Sequence, residues 1–114
     1  MLNSKHSLRH ENEIKVVLKH GKTINSPLFL LKFKQNSLSY NRYLVIISNK
    51  VSSKATVRNK KRRQVKYWLK NREKRPKNGF DIAIICKKPL ILADFTQIKE
   101  ILENLFKKAH LLWK

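Results

Sequence analysis

The side chains best suited to chemistry in this sequence are the cations between residues 54 and 69. This stretch is rich in arginine and lysine and contains no carboxylate. Guanidinium groups are planar, permanently charged donors that match the geometry of a phosphate group. At about 100° per residue of an α-helix, one set of polar side chains falls within an arc of roughly 100°. These residues are Asn59, Arg62, Arg63, Lys66 and Lys70. The stretch therefore predicts a helix with a cationic, phosphate-binding face.

The same stretch carries a second side that could anchor the helix to a core. Val65, Trp68 and Leu69 follow the i, i+3, i+4 spacing of a buried stripe, and Lys61 lies in the same arc. An anchored helix would hold its cationic side chains outward, whereas most charge runs are solvated faces or disordered basic tails. The apolar stripe favours the anchored helix, with a solvated or disordered run as the alternative.

Other groups that commonly perform catalysis are present but dispersed along the chain. The seven carboxylates are Glu11, Glu13, Glu73, Asp81, Asp94, Glu100 and Glu103. Hydrolysis by two metal ions needs convergent carboxylates, and these fall on separate segments or at helix starts. His6 and His10 have the spacing of zinc ligands on a helix, but no third ligand is near. The polypeptide is therefore expected to have no catalytic residue, no metal site and no cofactor.

The charge balance indicates the class of partner. The chain of 114 residues has 27 Lys and Arg against 7 Asp and Glu, a formal net charge of +20. Such a charge attracts polyanions, so nucleic acid is the expected partner and an anionic membrane the second possibility. The basic helix has few apolar residues with which to bind a membrane surface.

The length fits a single domain, residues 1–114. Cys86 has no partner for an internal disulfide, and no secretory signal or apolar span is present, so a cytoplasmic protein is expected.

Hydrophobic periodicity predicts a helix at each end of the chain. Ile14, Val17 and Leu18 indicate a short amphipathic first helix that Gly21 closes. Its candidate N-caps are Ser7 and Asn12. The last helix begins at a capping box formed by Asp94 and Gln97 and has the most regular apolar rhythm in the chain. That rhythm comprises Ile98, Ile101, Leu102, Leu105, Phe106 and Ala109.

Strands are predicted on both sides of the basic helix. From Lys22 the pattern changes to period two, with Phe29 and Phe33 on one face of a strand and Lys32 on the other. Residues 35–41 have the composition of a hairpin loop, residues 43–47 are apolar on both faces as in an interior strand, and residues 80–86 form the last strand. The order helix, three strands, basic helix, strand, helix (αβββαβα) predicts a two-layer α/β sandwich around a four-stranded sheet.

Several segments, taken in their order along the chain, resemble segments of the bacterial ribonuclease P protein family. Besides the basic helix they are residues 17–21, residues 48–51 and residues 81–89. The basic segment is similar to the family's Arg-Asn-Arg motif, with lysine at two positions where arginine is usual. The matching residues are Arg58, Asn59, Lys60, Arg62, Arg63 and Lys66.

The resemblance implies a subunit that assists an RNA catalyst. The RNA subunit would carry the active site and hold most of the Mg²⁺. The protein would bind that RNA and the 5′ leader of precursor tRNA, so that the leader is removed; it would be inactive alone and bind neither DNA nor a membrane. The implied RNA-binding residues are the six motif residues together with Lys50 and Lys54. The family fold also implies a left-handed β-α-β crossover, against the usual right-handed rule.

The resemblance further implies a cleft for the leader between the first helix and the sheet. Its residues would be Ile14, Leu18 and Lys32, at positions that are often aromatic in the family. A base stacked on an aromatic ring contributes about 1–3 kcal/mol, so leader binding here should be modest and salt-dependent. The alternative is that Ile14 and Leu18 pack in the core. Composition alone would also fit a structural RNA-binding protein of the ribosomal type, which the ordered motifs disfavour.

Overall fold

The computed structural model describes residues 7–71 and 79–111, which form three α-helices, four β-strands and one short 3₁₀ helix. In chain order the elements are α1 (Glu11–His20), β1 (Lys22–Asn25), β2 (Phe29–Gln35), β3 (Arg42–Ile46), α2 (Ala55–Asn71), β4 (Phe80–Cys86), the 3₁₀ helix (Lys88–Leu92) and α3 (Phe95–Lys108). This order confirms the predicted α/β sandwich.

The four strands form one mixed sheet in the spatial order β1-β2-β4-β3. Strand β2 runs antiparallel to both β1 and β4, while β3 and β4 are parallel neighbours. Helix α2 therefore lies in a β-α-β crossover between β3 and β4. The left-handed sense of that crossover stays a prediction from the family resemblance.

Two expectations about β3 are wrong. Residues 35–41 do not form a hairpin, because β4 lies between β2 and β3, and β3 is at the edge of the sheet rather than in its interior. The strand is apolar on both sides because both faces of the sheet are covered. Tyr43 and Val45 join the main core, while Leu44 packs on the opposite side with residues of α1. The amide of Leu8 donates to Tyr43 O (2.8 Å), which protects part of the open edge.

The loop between β2 and β3 crosses the start of β4 and is bonded to it. The amide of Asn36 donates to Gly79 O (2.7 Å), and its side-chain Nδ2 donates to Asp81 Oδ1 (2.8 Å). Gly79 has φ +91°, and a Cβ there would lie 3.0 Å from Leu38 O. The crossing thus depends on a glycine that can adopt a left-handed backbone conformation.

The main core lies between one face of the sheet and the two helices α2 and α3. The rings of Trp68 in α2 and Phe106 in α3 meet edge to face, with centroids 5.0 Å apart. The predicted capping box is confirmed, since Asp94 Oδ1 accepts from Gln97 N (2.8 Å) and Gln97 Oε1 accepts from Asp94 N (3.0 Å). The start of α3 is therefore fixed locally as well as by packing.

Helix α1 packs on the other face of the sheet. Its N-cap is His10, which makes no side-chain capping bond, so the expectation of a Ser7 or Asn12 cap is wrong. Glu11 in the first turn places negative charge at the positive end of the helix dipole, which substitutes for a cap. Gly21 ends the helix as predicted. A Cβ at this position would lie 2.4 Å from Val17 O, so a larger residue would not fit without a shift of the backbone.

Candidate nucleic-acid interface

Helix α2 is anchored along the side that the sequence predicted. Its buried residues are Lys61, Val65, Trp68 and Leu69, the four that share the predicted docking arc. Burial of Val65 and Leu69 alone removes two branched side chains from water, each a contribution of about 1.5–3 kcal/mol. The basic segment is therefore part of the folded sandwich, and the alternative of a disordered basic tail is wrong for residues 55–71.

Lys61 is a cation on the buried side of α2. Its Nζ donates to Ala93 O (2.6 Å), which connects the helix to the residue just before the cap of α3. Burial lowers the pKa of Lys61, and the neighbouring charge of Lys60 lowers it further. Lys61 therefore joins α2 to α3 and takes no part in the exposed cationic surface.

The cationic face of α2, defined as Asn59, Arg62, Arg63, Lys66 and Lys70, points away from the core. Asn59, Arg63 and Lys70 are exposed, while Arg62 and Lys66 are half-buried. No carboxylate occurs anywhere in α2, so within the helix nothing neutralises these side chains. A row of cations on a rigid helix can contact consecutive phosphates of a polyanion.

Two arginines of α2 are held in place by hydrogen bonds within the protein. Arg58 Nη1 donates to Ser52 O (2.8 Å), which ties the first turn of the helix to the preceding loop. Arg62 Nη1 donates to Asn59 Oδ1 (2.8 Å), one turn earlier on the cationic face. Each guanidinium keeps further donors for a ligand. Binding therefore costs less side-chain entropy than it would for freely moving arginines.

The remaining lysines of the predicted RNA-binding set lie at or near the start of α2. Lys50, Lys54 and Lys60 are exposed, and the loop that carries the first two is held by the buried Val51, whose amide donates to Ser48 O (3.0 Å). The structure thus places all eight predicted RNA-binding residues on α2 or on the loop before it. Among them, Arg58, Asn59 and Arg62 also make hydrogen bonds within the protein.

The predicted leader-cleft residues meet on the face of the sheet that α1 covers. Ile14 and Leu18 are partly buried and pack against a small cluster of Leu8, Val17 and Ala83. Both therefore contribute to packing while keeping exposed surface, so core and cleft are not exclusive alternatives here. Lys32 Nζ donates to Leu18 O (2.8 Å), which ties β2 to the last turn of α1.

A buried ion-pair cluster fixes the other end of α1. Arg42 donates from Nε and Nη2 to both Asp81 oxygens (2.8 and 2.7 Å), and from Nη1 and Nη2 to both Glu13 oxygens (3.0 and 2.8 Å). These hydrogen bonds raise the pKa of Arg42 above its ordinary value. Arg42 is in β3, Asp81 in β4 and Glu13 in α1, so the cluster ties α1 to two parallel strands.

Sequence reasoning missed an apolar row beside α1. Leu30, Ile85 and Ile46 are register partners across β2, β4 and β3, and each is half-buried. They lie on the same face as Lys32, since Leu30 precedes it by two residues on one strand. The signal was present in the period-two alternation of β2, but only the strand order shows that three strands align to form a continuous strip.

The described residues hold no group of three or more His, Cys, Asp or Glu side chains arranged to bind a metal ion. His6, one half of the possible zinc pair, lies outside the described residues. Burial raises the pKa of the Cys86 thiol to about 12, although the charge of Arg62 opposes the shift, so the thiol is protonated and unreactive near neutral pH. Within the same residues, no helix combines the length and apolar character needed to cross a bilayer.

The fold is a basic α/β sandwich of the RNA-binding class. An anchored basic helix lies on one side of its mixed sheet, and a half-buried apolar row lies on the other. Residues 2–110 match the sequence profile of the family described as Ribonuclease P. The chain therefore belongs to the ribonuclease P protein family. It is a protein subunit of ribonuclease P, a ribonucleoprotein endoribonuclease of tRNA processing, whose partner is the ribonuclease P RNA.

Individual relatives agree in sequence and in fold. The chain is 35% identical over 106 residues to the ribonuclease P protein component of Thermotoga maritima, covering 89% of each chain. It is 36% identical over 104 residues to that of Clostridium botulinum, covering 90% of this chain and 92% of that protein. The Staphylococcus aureus RNase P protein shares the fold with a TM-score of 0.86 at 21% identity, covering 95% and 98% of the two chains. The T. maritima structure superposes with a TM-score of 0.78 at 33% identity, covering 90% of this chain and 96% of that one.

Proposed function

We propose that the cationic face of α2 and the lysines before it bind the ribonuclease P RNA. The observation that carries this proposal is the helix itself: one side is buried, the other is cationic, and two arginines are held by Ser52 O and Asn59 Oδ1. The assigned contacts are Arg58, Asn59, Lys60, Arg62, Arg63, Lys66, Lys50 and Lys54. Lysine at positions 60 and 66 supplies a point charge rather than a bidentate fork, so these two residues should contribute charge more than geometry.

The 5′ leader of precursor tRNA is proposed to bind on the opposite face, along α1 and the apolar row. Ile14 and Leu18 would line the cleft on the helix side, with Leu30, Ile85 and Ile46 as its floor. The strip offers apolar surface without an aromatic ring, so nucleobases would contact it without strong stacking. Leader binding would then rest mainly on phosphate charge and only weakly on base identity.

Catalysis is proposed to belong to the RNA. Among the described residues no three carboxylates converge as a metal site would require, and Glu13 and Asp81, which do meet, are both bonded to Arg42. The RNA would therefore bind the metal and cleave the phosphodiester, and the protein alone would be inactive. The cytoplasm is the proposed compartment, because the relatives are bacterial proteins and an unpaired Cys86 suits a reducing environment.

Reconstitution tests this function directly. Purified protein is added to a bacterial ribonuclease P RNA and precursor tRNA at low magnesium, and cleavage at the mature 5′ end is measured with and without protein. The protein should increase correct cleavage and show none by itself. Cleavage that survives exhaustive removal of RNA would contradict the assignment of catalysis to the RNA.

A pair of variants locates the interface. Replacing Arg62 and Arg63 by alanine should weaken RNA binding and lower the slope of log affinity against log salt by roughly 1.4–1.8, because two phosphate contacts are lost. The control is Lys107→Ala with Lys108→Ala, which removes the same charge from the last turn of α3. Equal losses from the two pairs would mean that net charge, rather than the α2 face, directs binding.

A further inference from the structure

Tyr67 is an aromatic side chain exposed at the border of the cationic face. It lies in α2, one turn after Arg63, and is 58% exposed. More than half of the surface of this residue is therefore accessible to solvent. An open aromatic ring on a helix that binds a polyanion is a possible stacking surface, since every nucleobase has a face that can stack.

The ring is positioned by α3. Tyr67 meets Phe95 edge to face, with centroids 5.6 Å apart and planes at 68°. Lys99, one turn further along α3, holds its Nζ 4.9 Å from the centroid of the Phe95 ring. The two aromatic rings and the ammonium group therefore form a fixed step between α2 and α3, and Tyr67 loses little further freedom when a ligand stacks on it.

The charges around this step suit an unpaired nucleotide. On a helical projection, Lys60 and Arg63 lie within about 40° of Tyr67, and Lys99 lies across the step on α3. Three acidic groups lie at or on α3. Asp94, the N-cap, accepts from Gln97 N (2.8 Å), and Glu103 pairs with Lys107 (3.7 Å). Glu100 lines a groove with Pro27, Leu92 and Gln97. A base on the Tyr67 ring would thus have cations on either side for its flanking phosphates.

We propose that Tyr67 is a stacking platform for an unpaired base of the ribonuclease P RNA, with Arg63 and Lys99 on the adjoining phosphates. The proposal rests on the RNA-binding function assigned to α2 and extends that surface from the cationic face to the start of α3. It also assigns a form of recognition that phosphate contacts do not supply, because stacking needs a nucleotide that is free of base pairing.

Three substitutions at one position test the ring. Affinity of the full-length protein for a bacterial ribonuclease P RNA is measured over a range of salt concentrations. Tyr67→Phe should stay within about twofold of the unaltered protein, whereas Tyr67→Ala should bind roughly 5- to 150-fold more weakly, the loss of one stacked base. Tyr67→Leu keeps apolar bulk without a π-face, so it should resemble the alanine variant. Val16→Ala, which trims a 41% exposed apolar side chain on α1, is the matched control and should bind normally.

The salt dependence separates this proposal from the proposed function. Tyr67 variants should leave the log–log salt slope unchanged because no charge is removed, while Arg63→Ala should lower it by roughly 0.7–0.9. A steep slope with normal affinity of Tyr67→Ala would overturn the stacking platform and retain RNA binding by α2. A shallow slope in the unaltered protein would overturn RNA binding itself.

A measurement without substitution guards against variants that fold poorly. Mild iodination followed by peptide mass analysis should label Tyr67 ahead of the other tyrosines in the free protein, because Tyr67 is exposed whereas Tyr43 is buried and Tyr40 half-buried. Bound ribonuclease P RNA should protect Tyr67 from labelling. Equal labelling of Tyr67 in the free and RNA-bound protein would refute the proposal, including the case in which the exposed ring serves a protein partner instead.

Discussion

The ion-pair cluster around Arg42 gives the sharpest prediction about stability. The side chains of Arg42 and Asp81 are only 13% and 10% exposed, while Glu13 is 39% exposed. Arg42→Met would keep most of the buried volume and remove all four guanidinium hydrogen bonds. Asp81 would then be left inside the protein with Asn36 Nδ2 as the hydrogen-bond donor shown for its side chain.

The expected cost follows from this burial. Removing one partner of a buried ion pair costs about 3–5 kcal/mol, because the other charge stays desolvated. The lower end applies here, since Asn36 still donates to Asp81 and the wetter Glu13 can be hydrated. We expect Arg42→Met to lower the free energy of unfolding by about 3 kcal/mol. Adding Asp81→Asn should recover at least about 1 kcal/mol of that loss, because it removes the unpaired charge.

Urea unfolding followed by circular dichroism measures these changes, provided that the dependence on urea stays constant between variants. Lys15→Met is the control, because it breaks the Lys15–Glu11 pair on α1, the helix that also carries Glu13. The side chains of this pair are 71% and 82% exposed, so its loss should change stability by less than about 0.5 kcal/mol. A loss below about 1 kcal/mol in Arg42→Met, or no recovery in the double variant, would refute the reasoning that burial makes this cluster strong.

Three further changes test single contacts. Lys61→Met should leave stability at pH 7 unchanged or raise it, because burial disfavours the charged lysine. The pKa of Lys61 is lower in the folded protein than its ordinary value of 10.5, so between these two values the unfolded chain binds more protons and the stability of the unaltered protein rises with pH. Any advantage of the variant should therefore shrink as the pH approaches 10.5. Urea unfolding across this range checks it, and a less stable variant with no pH-dependent difference would show that the Ala93 O bond dominates. Gly21→Ala should cost about 1–3 kcal/mol of stability, since its Cβ would lie 2.4 Å from Val17 O; an unchanged thermal midpoint would show that α1 can shift freely. Ile14→Phe should strengthen binding of precursor tRNA several-fold over leaderless tRNA at little cost in stability, because Ile14 is only partly buried; a destabilised protein without a leader-dependent gain would assign Ile14 to the core.

The anchored basic helix was predictable because its two sides obey one periodicity. Val65, Trp68 and Leu69 mark the buried stripe, and the angular position of Lys61 places it in that stripe despite its charge. The capping box at Asp94 and the bounds of β4 were predictable for a similar reason, since each depends on residues that are close in sequence. Local rules were sufficient wherever the deciding contacts are local.

The position of β3 needed information that alternation does not contain. Apolar residues on both faces show that both faces are covered, and they say nothing about the two edges. The neighbours of β3 are decided by the β-α-β connection, which sets it beside β4 and leaves β2 on the far side. For the same reason the cluster of Arg42, Asp81 and Glu13 was not foreseen, because its members come from three elements and are at least 29 residues from Arg42 along the chain.

Lys32, a predicted leader-cleft residue, is bonded to the helix that would form the wall of that cleft. An aromatic ring at this position could stack with a leader base, but here the ammonium group donates to Leu18 O in the last turn of α1. A cation near a helix C-terminus is favourable by about 0.3–1 kcal/mol, so the lysine stabilises the helix that forms one wall of the proposed cleft. Only its remaining two ammonium protons are available to a leader phosphate. If the leader binds along α1 as proposed, Lys32 would add charge to the cleft and hold its wall in place, and both effects would favour phosphate attraction over base stacking.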